Sequence, residues 1–466
     1  MTRIRSATVL TIIAIAITAC SGSQQSSGGS GGPSSGVVEI TWFCCLGGGD
    51  GEDQVAVEKQ VVDEFNASHT DIHLTFARTP YEGAFDAFAT QIASPNPPDI
   101  VGPLGIGGGN AFPNQWLDLS DLIESNDYDM SQFPENTVNI YKDQQPGEGQ
   151  VGIPFGFYPS VLWYKKSHFE EIGLNEPPHK WGDPYVMPDG KEVPWDYDTV
   201  RTIARMLTFD ENGNDANSPN FDPDNVVQWG YEPQRDDLRQ TGAYFGAGRL
   251  VSDDGKTAQI PDAWRAAWHW FYDGIWTDHF AMTGPQFEST DFNPSDYPFF
   301  TGNVSMSANY LWTSYGVGDA GDDWDIAAIP SYNGNITAAF NADTFRIFKG
   351  SKHPQEAFEV LEYLLDDARE ELLGTYGAVP ARPAEQQAFF DALAENFPQK
   401  VDWQVALDGI AYADVPNFES PMPAYNEAND VLNKYGTEWQ AKPGLDLDAE
   451  IAKLQQDLQK VFDAAN

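Results

Sequence analysis

Between Val37 and Val101 the chain alternates strand, helix, strand, helix and strand at a spacing that suits few folds other than a parallel sheet wrapped by helices. Val37 to Phe43 (VVEITWF) alternates apolar and polar residues and is rich in β-formers. Asp53 to Ser68 carries apolar residues at helical spacing, and Ile72 to Ala77 (IHLTFA) is a second strand. Tyr81 to Ala93 repeats the helical pattern with Phe85, Phe88 and Ile92. After Pro97-Pro98, Asp99-Ile100-Val101 forms a short third strand. Consecutive parallel strands joined by helices require right-handed crossovers, which places this region in the α/β class. Ligands of such sheets bind at the carboxyl ends of the strands. Here those ends are Cys44-Cys45-Leu46-Gly47, Thr79-Pro80-Tyr81 and Gly102-Pro103-Leu104-Gly105.

The rest of the chain extends the same class. A second region opens at Val151-Gly152-Ile153-Pro154, and Lys180 to Pro233, rich in Pro, Gly, Asp and Asn, should be loop-dominated with one helix near Tyr197 to Leu207. Further helices are expected at Asp262 to Tyr272, Pro354 to Leu365 and Asp448 to Phe462. The last is amphipathic, with Ile451, Leu454, Leu458, Val461 and Phe462 on one side.

The N-terminus specifies a compartment. Arg3 and Arg5 precede an apolar run, Val9 to Ala19, that is shorter than the roughly 20 residues of a membrane-spanning helix. The run ends in Ile17-Thr18-Ala19-Cys20, which resembles a bacterial lipoprotein signal, so residues 1–20 are expected to be an export signal with Cys20 as the lipidated residue. Residues 21–36 are almost entirely Ser, Gly and Gln and form a tether reaching about 20–25 Å. Removal of the signal leaves 24 Lys and Arg against 70 Asp and Glu, a net charge of about −46. Nucleic acid and anionic lipid are poor partners for that field, and a membrane is reached through the lipid anchor only.

Cys44 and Cys45 are adjacent, and an oxidising compartment permits a disulfide between them. Neighbouring Cα atoms about 3.8 Å apart sit below the usual range for a relaxed bridge, so a strained ring and two free thiols both remain open. No Walker loop, H-E-x-x-H or redox C-x-x-C is present, and Gly28 to Gly32 matches a nucleophile elbow only formally, within the tether. Asp210 to Asp215 alternates oxygen ligands, but its glycine stands in the wrong place for a calcium loop, and a plain Asx-Gly turn is expected. His69 and His73 straddle a helix-to-strand turn and are not expected to bind metal. No metal and no cofactor are expected.

Several segments carry a family resemblance in order along the chain. They are Phe65-Asn66 through Leu74, Pro98-Asp99-Ile100-Val101, Trp116-Leu117-Asp118-Leu119, Gly152-Ile153-Pro154 through Tyr164-Lys165-Lys166, Phe300 to Trp312, Ser351 to Leu365, and Gly377 to Arg382. Together they resemble the extracellular solute-binding proteins of ATP-driven sugar importers, the group that includes maltose-binding proteins. The resemblance implies a two-lobe, periplasmic-binding-protein-like fold with hinge-crossing strands and a solute cleft. It implies a first lobe of residues 37–155 with a return at 305–342, and a second lobe of 156–304 and 343–466.

By the same resemblance, Trp312, Tyr158, Gln234, Arg235 and Tyr425 fall where the family touches solute, and Cys44 and Cys45 lie in a loop equivalent to one that does so. Tyr81 heads the second helix, and Asn341 and Asp343 offer an amide and a carboxylate at the hinge. A sugar site needs flat apolar faces with a few fixed hydrogen-bonding groups, which these residue types supply. The implied function is capture of a carbohydrate and its delivery to an ABC permease by a monomeric, non-enzymatic receptor. A receptor for a polyamine, peptide or glycerol-phosphate compound is the second reading, and a secreted glycan-active enzyme the third.

Overall fold

The computed structural model describes residues 36–48, 51–144, 147–234, 237–290, 292, 297–315, 317, 321 and 323–465. The signal, Cys20 and nearly all of the tether lie outside the described residues, as does Arg235. Among the described residues no helix is long and apolar enough to cross a membrane.

The expected parallel core is present. Strands β1 (Val38–Cys44), β2 (Ile72–Arg78) and β3 (Ile100–Leu104) lie in the order β2-β1-β3, with helices α1 (Glu52–Ser68) and α2 (Tyr81–Ile92) as their crossovers. Register runs from Val38 opposite Ile72 to Cys44 opposite Arg78. Phe88 stacks on Trp116 and lies near Phe43, so the α2 face read from its periodicity is the one that covers the sheet.

Strand β4 (Ile153–Lys165) joins the two lobes. All 13 of its residues are buried, because both faces are covered and no polar alternation is required. Its first half pairs with Phe340–Ile347, which in turn pairs with β3. Its second half pairs with Met306–Tyr310 on one edge and Trp324–Ala327 on the other. Val379–Pro380 pairs with β4 beside the hinge.

These pairings move the lobe boundaries. The strand Met306–Tyr310 hydrogen-bonds the far half of β4, so the stretch expected to return to the first lobe at 305–342 is mostly part of the second. The return is made by Phe340–Ile347 and continues through the helices Pro354–Leu365 and Arg369–Tyr376, which pack on the first lobe's strands and on α1. Only after Val379–Pro380 does the chain re-enter the second lobe, where Gln404–Gly409 packs on β4 and Tyr425–Ala441 packs on Leu447–Ala465. The terminal helix buries Ile451, Leu454, Leu458 and Phe462 of the expected stripe and leaves Val461 at its edge, half-buried.

Residues 180–233 hold one helix, Tyr197–Met206, and otherwise only strands of two or three residues. Within that stretch Asp210 Oδ1 accepts the backbone N–H groups of Asn212 (2.9 Å) and Asn214 (2.8 Å), and Oδ2 accepts that of Asp222 (3.0 Å). The carboxylate is occupied by its own turn.

Candidate functional site

A cleft of 1140 Å³ opens between the lobes at the carboxyl ends of β1 and β3. Its floor consists of two backbone segments in contact, Leu46–Gly48 and Gly105–Gly108. A Cβ on Gly108 would lie 2.2 Å from the Leu46 carbonyl oxygen, and one on Gly47 would lie 2.2 Å from the Gly105 nitrogen. Only glycine permits that approach.

Trp312 follows the strand Met306–Tyr310 and is only partly buried. Its Nε1 donates to Gln234 Oε1 at 3.1 Å, and its ring lies 4.3 Å from Tyr310 and 5.0 Å, edge on, from Tyr158. Tyr158 donates its hydroxyl to the Tyr376 carbonyl at 3.2 Å and stands opposite Asn341 in the ladder. Tyr81, 51% exposed, meets Phe85 edge to face across the first lobe's rim.

The second lobe supplies a charged but internally neutral wall. Asp237 caps the helix Leu238–Ala243 by accepting the N–H groups of Arg239 and Gln240, and also accepts Arg239 Nε at 3.0 Å. The guanidinium donates in turn to the Tyr425 hydroxyl, at 3.2 and 3.3 Å. Burial pushes the Tyr425 phenol up to about 12 even though Arg239 opposes the shift.

At the hinge, Asp343 sits where the register between Phe340–Ile347 and β4 breaks. It is 3% exposed, its Oδ2 has no hydrogen-bond partner, and burial, with Glu419 adding to it, pushes its carboxyl well above the ordinary carboxylate range. Glu419 accepts the Gly107 N–H at 3.0 Å, and Asn426 donates to the Ala111 carbonyl at 3.1 Å. Residues 419–426 thereby tie the second lobe's long helix to the floor of the first.

Tyr81, Tyr158, Gln234, Trp312, Asn341, Asp343 and Tyr425 all line this one cleft. Cys44 and Cys45 do not. They form a disulfide and are fully buried, packed against Glu58 with sulfur to Oε1 distances of 3.5 and 3.8 Å. A disulfide has no S–H to donate, so these are packing contacts. The expectation that the pair faces the solute is therefore corrected: β1 ends at Cys44, two residues before the cleft lining begins, and Leu46 to Gly48 form the surface. Cys44, Cys45 and Glu58 are the one group among the described residues close enough to hold a metal, and the bridge removes the thiolates such a site would need. His69 stacks on Phe65 and His73 meets Glu39 at 2.8 Å, each with a local partner.

Sequence reasoning missed Asp237, Arg239, Glu419 and the asparagines 426, 429 and 433, all of which border the cleft. The asparagines were detectable, since their spacing puts them on one helix face. Asp237, Arg239 and Glu419 are joined to the cleft by pairings that no local pattern encodes.

The arrangement holds aromatic faces and fixed amides around a concave space. Comparison with known proteins agrees in fold. Residues 60–399 match the family described as bacterial extracellular solute-binding protein. No curated protein matches the chain. Among solved structures, the ABC substrate-binding protein Lmo0181 of Listeria monocytogenes, in complex with cycloalternan, superposes with a TM-score of 0.71 at 17% identity over 92% of this chain and 99% of that one. The sugar-binding protein MalE of Xanthomonas citri gives 0.67 at 15% identity, covering 92% and 98% of the two chains. The maltose/maltodextrin-binding domain MalE of Bdellovibrio bacteriovorus, bound to maltotriose, gives 0.63 at 16% identity over 91% and 99%. With a family match over most of its length and a cleft between two lobes that share β4, the chain is a member of the bacterial extracellular solute-binding protein family.

Proposed function

We propose that this protein is a lipid-anchored, extracytoplasmic receptor that captures a carbohydrate in its interlobe cleft and delivers it to an ABC permease, acting as a monomer and without catalysis. The observation that carries the reading is the setting of Trp312, a partly buried indole tied to Gln234 and flanked by Tyr158 and Tyr310 in a space of 1140 Å³. An aromatic face with amides at its edge suits the C–H and O–H surfaces of a sugar ring. The ligands named for the Listeria and Bdellovibrio structures, cycloalternan and maltotriose, are also carbohydrates. Three segments cross between the lobes near β4, so a solute touching both walls would favour closure.

A thermal-shift screen over mono- and oligosaccharides tests the reading. A sugar at 100 times its dissociation constant adds about 2.7 kcal/mol to stability, a readily measured rise in the unfolding midpoint. A panel in which no sugar raises the midpoint, while a polyamine or peptide does, would replace the carbohydrate by that solute. The anchor is tested separately. Full-length protein expressed in a bacterium should enter the detergent phase on extraction, and Cys20→Ala should leave it in the aqueous phase or uncleaved; detergent partition of a cleaved Cys20→Ala chain rules the anchor out.

A further inference from the structure

The helix Tyr425–Ala441 borders two cavities with one face. Asn426, Asn429 and Asn433 line the cleft, and Asn433, Gly436, Thr437 and Gln440 line a second cavity of 240 Å³. Positions three or four apart fall on one side of a helix, so these residues make one continuous stripe. From Asn426 to Gln440 it runs about 21 Å at 1.5 Å per residue. Asp237 and Asn433 belong to both cavities, so the two share a wall.

Opposite the stripe stand Trp268, Phe271 and Tyr272 of the helix Asp262–Trp276. Trp439 lies in the same lining, is 4% exposed, and its indole N–H has no hydrogen-bond partner. The Asn429 amide oxygen, on the cleft side, likewise has none. Buried polar groups in folded proteins are nearly always paired, so two unpaired ones on this helix, one beside each cavity, point to a partner that arrives with the solute. The size suits a ring. An apolar cavity of about 150 Å³ accepts benzene, so 240 Å³ admits a six-membered ring with hydroxyl groups. Aromatic walls with a rim of Asp237, Thr241, Asn433 and Thr437 match the apolar faces and polar edge of a pyranose.

We infer that the second cavity is a subsite for a further sugar ring, and that the solute is an oligosaccharide reaching from Trp312 past Asn433 into the aromatic pocket. This rests on the carbohydrate reading of the cleft. Calorimetry on the full mature chain with malto-, cello- and manno-oligosaccharide series, from one to six units, tests it in the wild type and in Thr437→Trp. Thr437 is exposed on the rim of the second cavity only, so the larger ring fills that space without deleting a core side chain. In the series that binds, affinity should climb with length. The variant should lose at least tenfold for the longest ligand while the shortest stays within about twofold.

Unchanged affinity of Thr437→Trp for long ligands overturns the subsite, and so does a loss shared equally by short ones. Thr437→Leu, a smaller fill, serves the same test if the tryptophan variant does not fold. If short sugars bind and added units gain nothing, the second cavity alone loses its assignment. If no sugar of any length binds the wild type, the carbohydrate reading fails and this inference falls with it.

Discussion

Trp312→Ala should remove most sugar binding and leave the fold intact. The indole is the largest aromatic surface in the cleft held in place by specific contacts: Gln234 fixes its edge and Tyr158 and Tyr310 fix its plane. A preset ring costs a ligand no ordering, which is why buried or half-buried tryptophans dominate binding energies. Truncating such an anchor typically loses about 2–4 kcal/mol, or about 30- to 1000-fold in affinity. Tyr81→Ala is the internal comparison. Tyr81 is half exposed and stands at the rim of the cleft, where it meets Phe85 edge to face, so its loss should reduce affinity far less. Calorimetry with the sugar found by thermal shift measures both, and a urea midpoint checks the fold. A Trp312→Ala protein that binds sugar as well as the wild type places the solute elsewhere.

Glu58→Ala should be the most destabilising single change near the cleft. Glu58 is fully buried on α1, accepts the Tyr376 hydroxyl at 2.5 Å and Arg78 Nε at 3.1 Å, and packs on the Cys44–Cys45 bridge. Removing one partner of a buried charged network costs about 3–5 kcal/mol, because the remaining groups keep their desolvation and lose their compensation. Glu58→Gln should cost less, since an amide oxygen can still accept from Tyr376, but its NH₂ faces a guanidinium. The pH dependence has a definite sign. Burial pushes the Glu58 carboxyl above its ordinary range, against the opposing effects of Tyr376 and Arg78, and burial does the same to Asp343 and Asp414.

An acid whose pKa is raised by folding gives its full stabilisation below the unfolded value, about 4, and loses it as pH climbs through the folded value. Stability should therefore fall as pH rises through a window above that unfolded value, with a shallower slope in Glu58→Gln. Urea unfolding at several pH values measures this, and a slope unchanged by Glu58→Gln would mean that its carboxyl does not titrate in that window.

Trp312 and Cys44 show what local patterns can and cannot report. Cys44 ends a strand and Trp312 follows one, and the family resemblance places both at the cleft. Trp312 lines it, but Cys44 and Cys45 are buried behind it, because which of several consecutive residues reaches a surface depends on where the neighbouring backbone passes. Here Gly105 to Gly108 passes over Gly47, at a separation that a Cβ would prohibit. The same limit explains the lobe boundary. The segment Met306–Tyr310 is a strand, yet nothing in its local pattern names the far half of β4 as its partner.

What the sequence by itself determined is local. The parallel β1, β2, β3 core with α1 and α2, the single helix within residues 180–233 and the terminal stripe of Ile451, Leu454, Leu458 and Phe462 all follow from periodicity, which is a property of neighbouring residues. The tertiary structure alone decided which strand β4 would pair with at each end, that Asp237, Arg239 and Tyr425 would close into one network, and that Asn433 would stand between two cavities. Those outcomes join residues up to hundreds of positions apart, and each is settled by which packing buries the most apolar surface without leaving charge uncompensated, a sum taken over the whole molecule and not over any segment of it.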